Sequence, residues 1–306
     1  MEHKGLQSGR RGTGVPERLI QKIDRIFVPY LMWGGGGPTI IMLHATGFLP
    51  SLWHPIAREL SDDFRIIAPY FCNHRTADPH KGGLHWMRLA EDLAAFCKEL
   101  GIDRPLMVGH SMGATIATLA NTVCSLEASG LVLIEPIFLP QELYAMEHSL
   151  ENHPLASKSI RRRDQWSNST EAMDYLKSRS IFSRWDTEML NIYIGHGMEP
   201  SPEEGLRLSC SPRSEASLFM GGMHHDPWPL LPEVTCPCLV IEGQDSENRT
   251  FIDLKEVTSI LPNASYSLIQ GAGHLIPMEK PGEITDIIRE FSQSAFASSM
   301  ANKIHV

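Results

Sequence analysis

The stretch "LMVGHSMGAT" (106–115) sets Ser111 between Gly109 and Gly113. An apolar run comes before the serine, and "MGATIATLANTVCSLE" (112–127) follows with apolar residues at three- and four-residue spacing, the period of an amphipathic helix. A serine on a sharp strand-to-helix turn, with glycines two residues away on each side, is the arrangement of a nucleophile elbow. The glycines have a steric reason, because side chains at those places would meet neighbouring backbone. The pentapeptide Gly-x-Ser-x-Gly also occurs by chance in loops, so the strand before it and the helix after it carry the reading.

The same alternation recurs along the chain. "TIIMLH" (39–44), "FRIIAPY" (64–70), "PLMVGH" (105–110), "GLVLIEP" (130–136) and "PCLVIEG" (237–243) are continuous apolar runs, as in strands buried on both faces of a parallel sheet. With "LHWMRLAEDLAAFCKELG" (84–101) and the helix after Ser111 between them, the pattern predicts an α/β sheet with helices on both faces. "GGGG" (34–37) precedes a strand and no Gly-Lys-Ser/Thr follows, so it reads as a turn and not as a phosphate cradle. After Glu135 the alternation breaks into helical, charged, Met- and Trp-containing segments until Pro227, Pro229 and Pro232 punctuate the return to a strand. The expected organisation is a core over 20–136 and 233–300 with a helical cap insertion over 137–232.

Composition narrows the classes of function. Of 306 residues, 42% are hydrophobic and 21% charged, which is the make-up of a globular chain. A net charge of −9 and the lack of a dense basic run argue against a nucleic-acid partner. The opening "MEHKGLQSGRRGTGVPER" has no apolar signal core, and no window reaches the roughly 18 apolar residues of a membrane span, so a cytoplasmic protein is expected. The six cysteines read as free thiols, and Cys236 and Cys238, split by Pro237 alone and without a second pair, do not make a metal clip.

A serine hydroxyl is nearly inert at neutral pH and needs a base within hydrogen-bond reach. Of the 14 histidines, His274 in "SLIQGAGHLIPMEKPGEI" stands on a glycine-flanked loop after a late apolar run, with Pro281 opening the last helix. From there it can reach back over the sheet to Ser111. His44, His85, His110, His224 and His225 compete, but each reads more simply as a strand-end residue, an elbow neighbour or a surface residue of the insertion.

"LHATGFLPSLWHPIARELSDDFRIIAP", "VGHSMGATIATLA", "LVLIEPIF" and "IQGAGHLIPMEKPGEI", in that order, resemble the α/β-hydrolase superfamily over most of the chain outside the insertion. The resemblance implies an eight-stranded, mostly parallel sheet, a helical cap and a Ser–acid–His triad at the carboxyl edge. Matching His44-Ala45-Thr46-Gly47-Phe48 to the His-Gly at the end of strand 3 implies oxyanion donors at the N–H groups of Thr46 and Met112, with Ala45 where glycine is usual. The loop "APYFCNHRTADPHKGG" departs from the Asp-x-Arg-Gly-x-Gly-x-Ser of many relatives.

The acid departs too. Superfamily members usually present it three residues after the glycine that ends strand 7; here that place holds Ser246, which cannot stabilise an imidazolium by charge. Asp245 lies one residue early and Glu247 one late. Some relatives take the acid from the end of strand 6, where "LVLIEP" offers Glu135 behind a wholly apolar run, with Pro136 stopping the strand. Glu135 is preferred, with Asp245 as the alternative. The competing structural reading makes Glu135 a sheet-capping carboxylate paired with an arginine of the insertion.

Serine, where haloalkane dehalogenases and epoxide hydrolases have aspartate, points to acyl transfer. The default expectation is hydrolysis of a carboxylic ester of a small to medium, largely apolar substrate. Carbon–carbon bond hydrolysis of a diketone, as in meta-cleavage product hydrolases, is the alternative, and a binding protein that kept the fold is a third reading. The chemistry requires no cofactor and no metal, the partner is a small-molecule acyl substrate, and the chain is expected as a monomer or homodimer. Arg161, Arg162 and Arg163 could meet an anionic substrate, but adjacent residues on a helix cannot all face one way, so a solvated face is preferred. Met198, Met220, Met223, Trp185 and Trp228 read as an adaptable apolar pocket or as core.

Overall fold

The computed structural model describes residues 14–304, so the polar opening over 1–13 lies outside the described residues. Along the central strands, successive side chains bury into opposite clusters. Ile41, Leu43, Met107, Leu131 and Val240 face one side, and Ile40, Met42, Val108, Val132 and Ile241 the other. A strand with two apolar faces needs a layer on each, and helices supply both.

The chain opens with a hairpin, β1 (Glu17–Ile23) and β2 (Ile26–Trp33), followed by β3 (Thr39–Leu43), α1 (His54–Leu60), β4 (Arg65–Pro69), α2 (Trp86–Glu99), β5 (Leu106–His110), α3 (Met112–Thr122) and β6 (Gly130–Ile134). A long excursion then carries α4 (Gln141–Tyr144), α5 (Ala156–Ser159), β7 (Gln165–Trp166), α6 (Ser169–Lys177), α7 (Thr187–Gly197), β8 (Met198–Pro200), β9 (Leu206–Leu208) and α8 (Pro212–Gly221). The chain rejoins the sheet with β10 (Cys238–Gly243), α9 (Leu254–Ile260), β11 (Ala264–Ile269), α10 (Ile276–Glu279) and α11 (Pro281–Ile304). The eight-stranded sheet has the order β1-β2-β4-β3-β5-β6-β10-β11. All its pairings are parallel except those that β2 makes with β1 and β4.

The apolar faces of α2, α3 and α9 pack on one side through Leu89, Phe96, Ile116, Leu119 and Val257. On the other, α1 and α11 contribute Ile56, Leu60, Ile284, Ile288 and Ala295. The hairpin β1–β2 extends the sheet beyond the runs singled out in the sequence. Its β2 obeys the same alternation, with Val28 and Tyr30 in one cluster and Leu31 and Trp33 in the other. As an edge strand β1 keeps a wet face, and Ile20 is 65% exposed.

Helices dominate the excursion between β6 and β10, joined by a small antiparallel sheet β7-β9-β8. Its strands are two or three residues long, too short to show a period in the sequence. The helix starts are marked chemically: Asn168, Asp186 and Ser211 each accept a hydrogen bond from a first-turn N–H of α6, α7 and α8. Strand order reverses around β3, between β4 and β5, and the carboxyl ends beside such a reversal are where open α/β sheets bind ligands. No helix among the described residues is long and apolar enough to cross a membrane.

Candidate active site

Ser111 is the residue between β5 and α3, and its backbone stands at φ 55°, ψ −118°, a conformation L-residues rarely adopt. The reason it can stand there is visible in its neighbours. A β-carbon on Gly109 would lie 2.5 Å from the Ala114 backbone, and one on Gly113 would collide with the Leu43 carbonyl of the adjacent strand. The Ser111 N–H donates to Ile134 O at 2.9 Å, tying the turn to the end of β6.

One residue further along β6 stands Glu135, also at positive φ (49°), its N–H donating to Ile241 O at 2.8 Å. The carboxylate is 1% exposed yet fully served by donors. Oε1 accepts from the Gly243 N–H at 2.7 Å, and Oε2 accepts from the Ser246 hydroxyl at 2.7 Å and from His274 Nδ1 at 2.9 Å. Both carboxylate oxygens thus accept hydrogen bonds without an arginine partner. His274, on the loop between β11 and α10, turns its other nitrogen to Ser111: Nε2 to Oγ is 3.1 Å. A proton on Nδ1, held by Glu135, leaves Nε2 free to accept from the serine. Such a chain can lift the hydroxyl proton and stabilise the resulting imidazolium.

Asp245 is not part of this chain. Its side chain is 42% exposed and pairs with Arg184 at 2.8 Å. Ser246 occupies the usual place of the acid, but here its hydroxyl serves the carboxylate of Glu135. The Asn248 amide also lies 3.0 Å from His274 Nδ1; with its oxygen turned to the ring it shares the Nδ1 proton with Glu135.

Two further histidines hold the frame. The Phe71 N–H donates to His44 Nε2 at 2.9 Å, so the ring proton is on Nδ1 and donates to Ala45 O at 2.9 Å. The same carbonyl accepts from the Phe48 N–H at 3.2 Å, closing a turn around Thr46 and Gly47. Since a trans peptide sets its N–H opposite its C=O, both bonds turn the Thr46 N–H away from His44. Met112 contributes the first N–H of α3, which has no acceptor within the helix. Ala45 keeps a negative φ, so its methyl group needs no strained backbone in place of the usual glycine. His110 Nε2 lies 2.9 Å from His274 O and donates to it, fixing the loop that carries His274. Burial pushes His44 down to about 4, and burial followed by repulsion from His274 pushes His110 down to about 3, so both rings are neutral framework at working pH. In the sequence these two read as a strand-end residue and an elbow neighbour, marked only by their place beside Ala45 and Ser111.

The remaining candidates lie elsewhere. His224 stacks on His85 at 3.8 Å between ring centres and meets Gly82 O at 2.8 Å, on the seam between α8 and the loop before α2. Met198 and Trp185 belong to one apolar cluster, Met220 to another, and Trp228 packs on a third, so they do not line one pocket. The arginine run divides. Arg161 and Arg163 bond backbone carbonyls at the surface, whereas Arg162 turns inward to Glu215 at 2.9 Å, against the expectation of a solvated face. The helix α5 ends at Ser159, so the run follows turns and not a helix face. Among the described residues no cluster of three or more His, Cys, Asp or Glu could hold a metal ion, and all six cysteines are free.

Residues 40–287 match the model of the alpha/beta hydrolase family. Over 253 residues the chain is 25% identical to the 2-(acetamidomethylene)succinate hydrolase of Mesorhizobium japonicum, covering 82% of this chain and 86% of that protein. A crystal structure of E-2-(acetamidomethylene)succinate hydrolase superimposes with a TM-score of 0.75 at 21% identity, over 90% of this chain and 100% of that one. A thermophilic esterase from Thermogutta terrifontis superimposes with a TM-score of 0.68 at 22% identity, over 91% and 99%. The two structural likenesses are likenesses of fold.

Proposed function

The chain belongs to the alpha/beta hydrolase family, and from that premise we propose that it is a serine hydrolase cleaving a carboxylic ester of a small to medium, largely apolar substrate through an acyl-enzyme. The observation that carries this reading is the unbroken chain from Ser111 Oγ through His274 to Glu135, at 3.1 and 2.9 Å. In it, His274 Nε2 takes the hydroxyl proton as Ser111 Oγ attacks the carbonyl carbon. The oxyanion forms against the N–H groups of Thr46 and Met112, and Glu135 stabilises the imidazolium. Collapse expels the alkoxide, which leaves with the proton from His274. Water then attacks the acyl-enzyme by the same route, giving the acid and restoring Ser111.

In this reading residues 137–232 form a cap over the carboxyl edge. Phe48, Phe182, Trp185 and Tyr193 make an aromatic cluster there, with ring centres 4.9–5.8 Å apart, that joins the cap to the loop carrying Thr46. That wall suits an apolar substrate portion. The name of the Mesorhizobium relative adds an acyl amide to the compounds to test. The test is a kinetic screen of p-nitrophenyl esters across acyl lengths, with an N-acetyl enamine and a vinylogous diketone included, run beside Ser111→Ala. Ester turnover that disappears in the variant is the expected result; turnover of the diketone alone, or turnover unchanged by the substitution, overturns the reading.

A further inference from the structure

A single turn after β10 reaches both the acid and the base. Ser246, at its start, bonds to Glu135, and Asn248, on the turn Glu247–Thr250, brings its amide to 3.0 Å from His274 Nδ1. The same ring nitrogen lies 2.9 Å from Glu135 Oε2. Asn248 is half-buried and its backbone is pinned. Its carbonyl accepts from the Phe251 N–H at 3.0 Å and from the Ile252 N–H at 2.8 Å, and Ile252 is buried in the core. An amide on such a turn is in place before any reaction starts.

The protons decide which end of the amide faces the ring. The end at 3.0 Å is Nδ2, and a half-turn of the amide brings Oδ1 to the same place. A neutral imidazole has one N–H and one lone pair. If Nδ1 accepted from Nδ2, its lone pair would also face the Glu135 carboxylate, and the ring proton would sit on Nε2, where it blocks acceptance of the Ser111 proton. With the proton on Nδ1, an amide N–H would oppose it. The conflict disappears when the Nδ1 proton lies between two acceptors, Glu135 Oε2 and Asn248 Oδ1. Other titratable groups stand around without bonding the ring nitrogens. His110, neutral, is 5.2 Å away between ring centres, and Glu279 of α10 accepts from the Gly273 N–H at 2.8 Å. Asp245 pairs with Arg184, and Arg249 lies 3.5 Å from Glu242.

We propose that Asn248 is a positioning residue for the base: its Oδ1 shares the Nδ1 proton with Glu135, holds the productive tautomer and stabilises the imidazolium. This rests on the serine-hydrolase reading. The resting ring offers Asn248 a neutral N–H, the imidazolium a charged one, and bonds from charged donors are the stronger. The amide therefore favours the protonated ring. Its loss should lower the pH at which His274 gains a proton, and a carboxylate in its place should raise that pH.

The experiment follows His274 through kcat and KM on p-nitrophenyl butyrate across the acid limb of the pH profile, and through the ring-nitrogen NMR signals of histidine-labelled protein, identified by their loss in His274→Ala. In Asn248→Leu, which removes the acceptor and nearly keeps the volume, kcat should fall about threefold to tenfold with KM unchanged, and the midpoint of His274 should move down by about half a unit to one unit. In Asn248→Asp, of the same shape, the added charge should move the midpoint up by about one unit or more. A role in folding alone would change stability and leave the midpoint where it was. A midpoint that stays in place in either variant, movement in the same direction in both, or a kcat in Asn248→Leu equal to the parent's overturns the inference while leaving the nucleophile intact. Absence of turnover on every ester of the acyl series overturns the serine-hydrolase reading and the inference with it.

Discussion

Ser246 donates its hydroxyl to Glu135 Oε2 at 2.7 Å, so the residue at the place where the family resemblance puts the acid bonds instead to a carboxylate that follows another strand. Glu135 follows β6 and Ser246 follows β10, and the two strands are neighbours in the sheet. Glu135→Ala should therefore abolish activity, and the double variant Glu135→Ala, Ser246→Asp should recover at least about tenfold by placing a carboxylate just after β10, a part of what an orienting acid contributes. Steady-state kinetics on one ester checks this. No recovery in a double variant that folds would mean that the β10 position cannot reach His274.

Glu135→Gln keeps the volume but cannot stabilise an imidazolium and can favour the wrong tautomer. A loss of about 10⁴ in kcat is expected, by analogy with the change of Asp to Asn in a serine-protease triad. Asp245→Asn breaks only the half-exposed pair with Arg184 and should leave kcat within a few-fold. The reverse ranking in kcat would move the acid to Asp245.

His110 acts through the loop that carries His274. His110→Leu leaves the His274 carbonyl without its donor, which costs about 1–3 kcal/mol, and should lower kcat by roughly tenfold to a hundredfold with little change in KM. His110→Gln can still present an N–H and should restore most of the rate. Equal rates in the leucine variant and the parent would show that the bond does not position the base.

Stability should fall with pH on the acid side of neutrality. His44 and His110 are held neutral in the fold, down to about 4 and about 3, whereas the unfolded chain protonates them near 6.5. Below 6.5 the unfolded state binds more protons, so stability is full above that pH and is lost as pH falls toward the folded values. Each unit of depression corresponds to about 1.4 kcal/mol, hence about 3 kcal/mol from His44 alone by about pH 4. Burial also lowers His54, His85 and His153, adding to the same slope. Urea midpoints at about pH 7.5 and about pH 4.5 measure the effect, and His110→Gln should flatten it. A midpoint that does not move between these pH values would contradict the account.

The parts of the site legible in the sequence are those encoded by short stretches of chain. Ser111 is marked by the apolar run before it, its two glycines and the helix after it; His274 by the small residues and Pro281 around it; Glu135 by an abrupt carboxylate at the end of "LVLI". The hairpin β1–β2 was not legible because half of β1 faces water and its residues mix polar and apolar types. The ion pair of Arg162 with Glu215 was hidden for a different reason. Nothing local distinguishes the inward arginine from its two neighbours, since only the packing of α5 against α8 brings it to its partner. The same holds for Ser246, which nothing local marks as a donor to Glu135, since only the pairing of β10 with β6 brings the two together.

The central claim is that Ser111 becomes acylated during turnover. A fluorophosphonate probe, followed by digestion and mass spectrometry, tests it most directly, because the reagent labels a serine whose hydroxyl is activated by a base. The account predicts one label, on the peptide containing Ser111, lost in Ser111→Ala and in His274→Ala and suppressed by prior incubation with a slowly deacylating ester. Label on another residue, or an unlabelled protein that still turns over the ester, would contradict it.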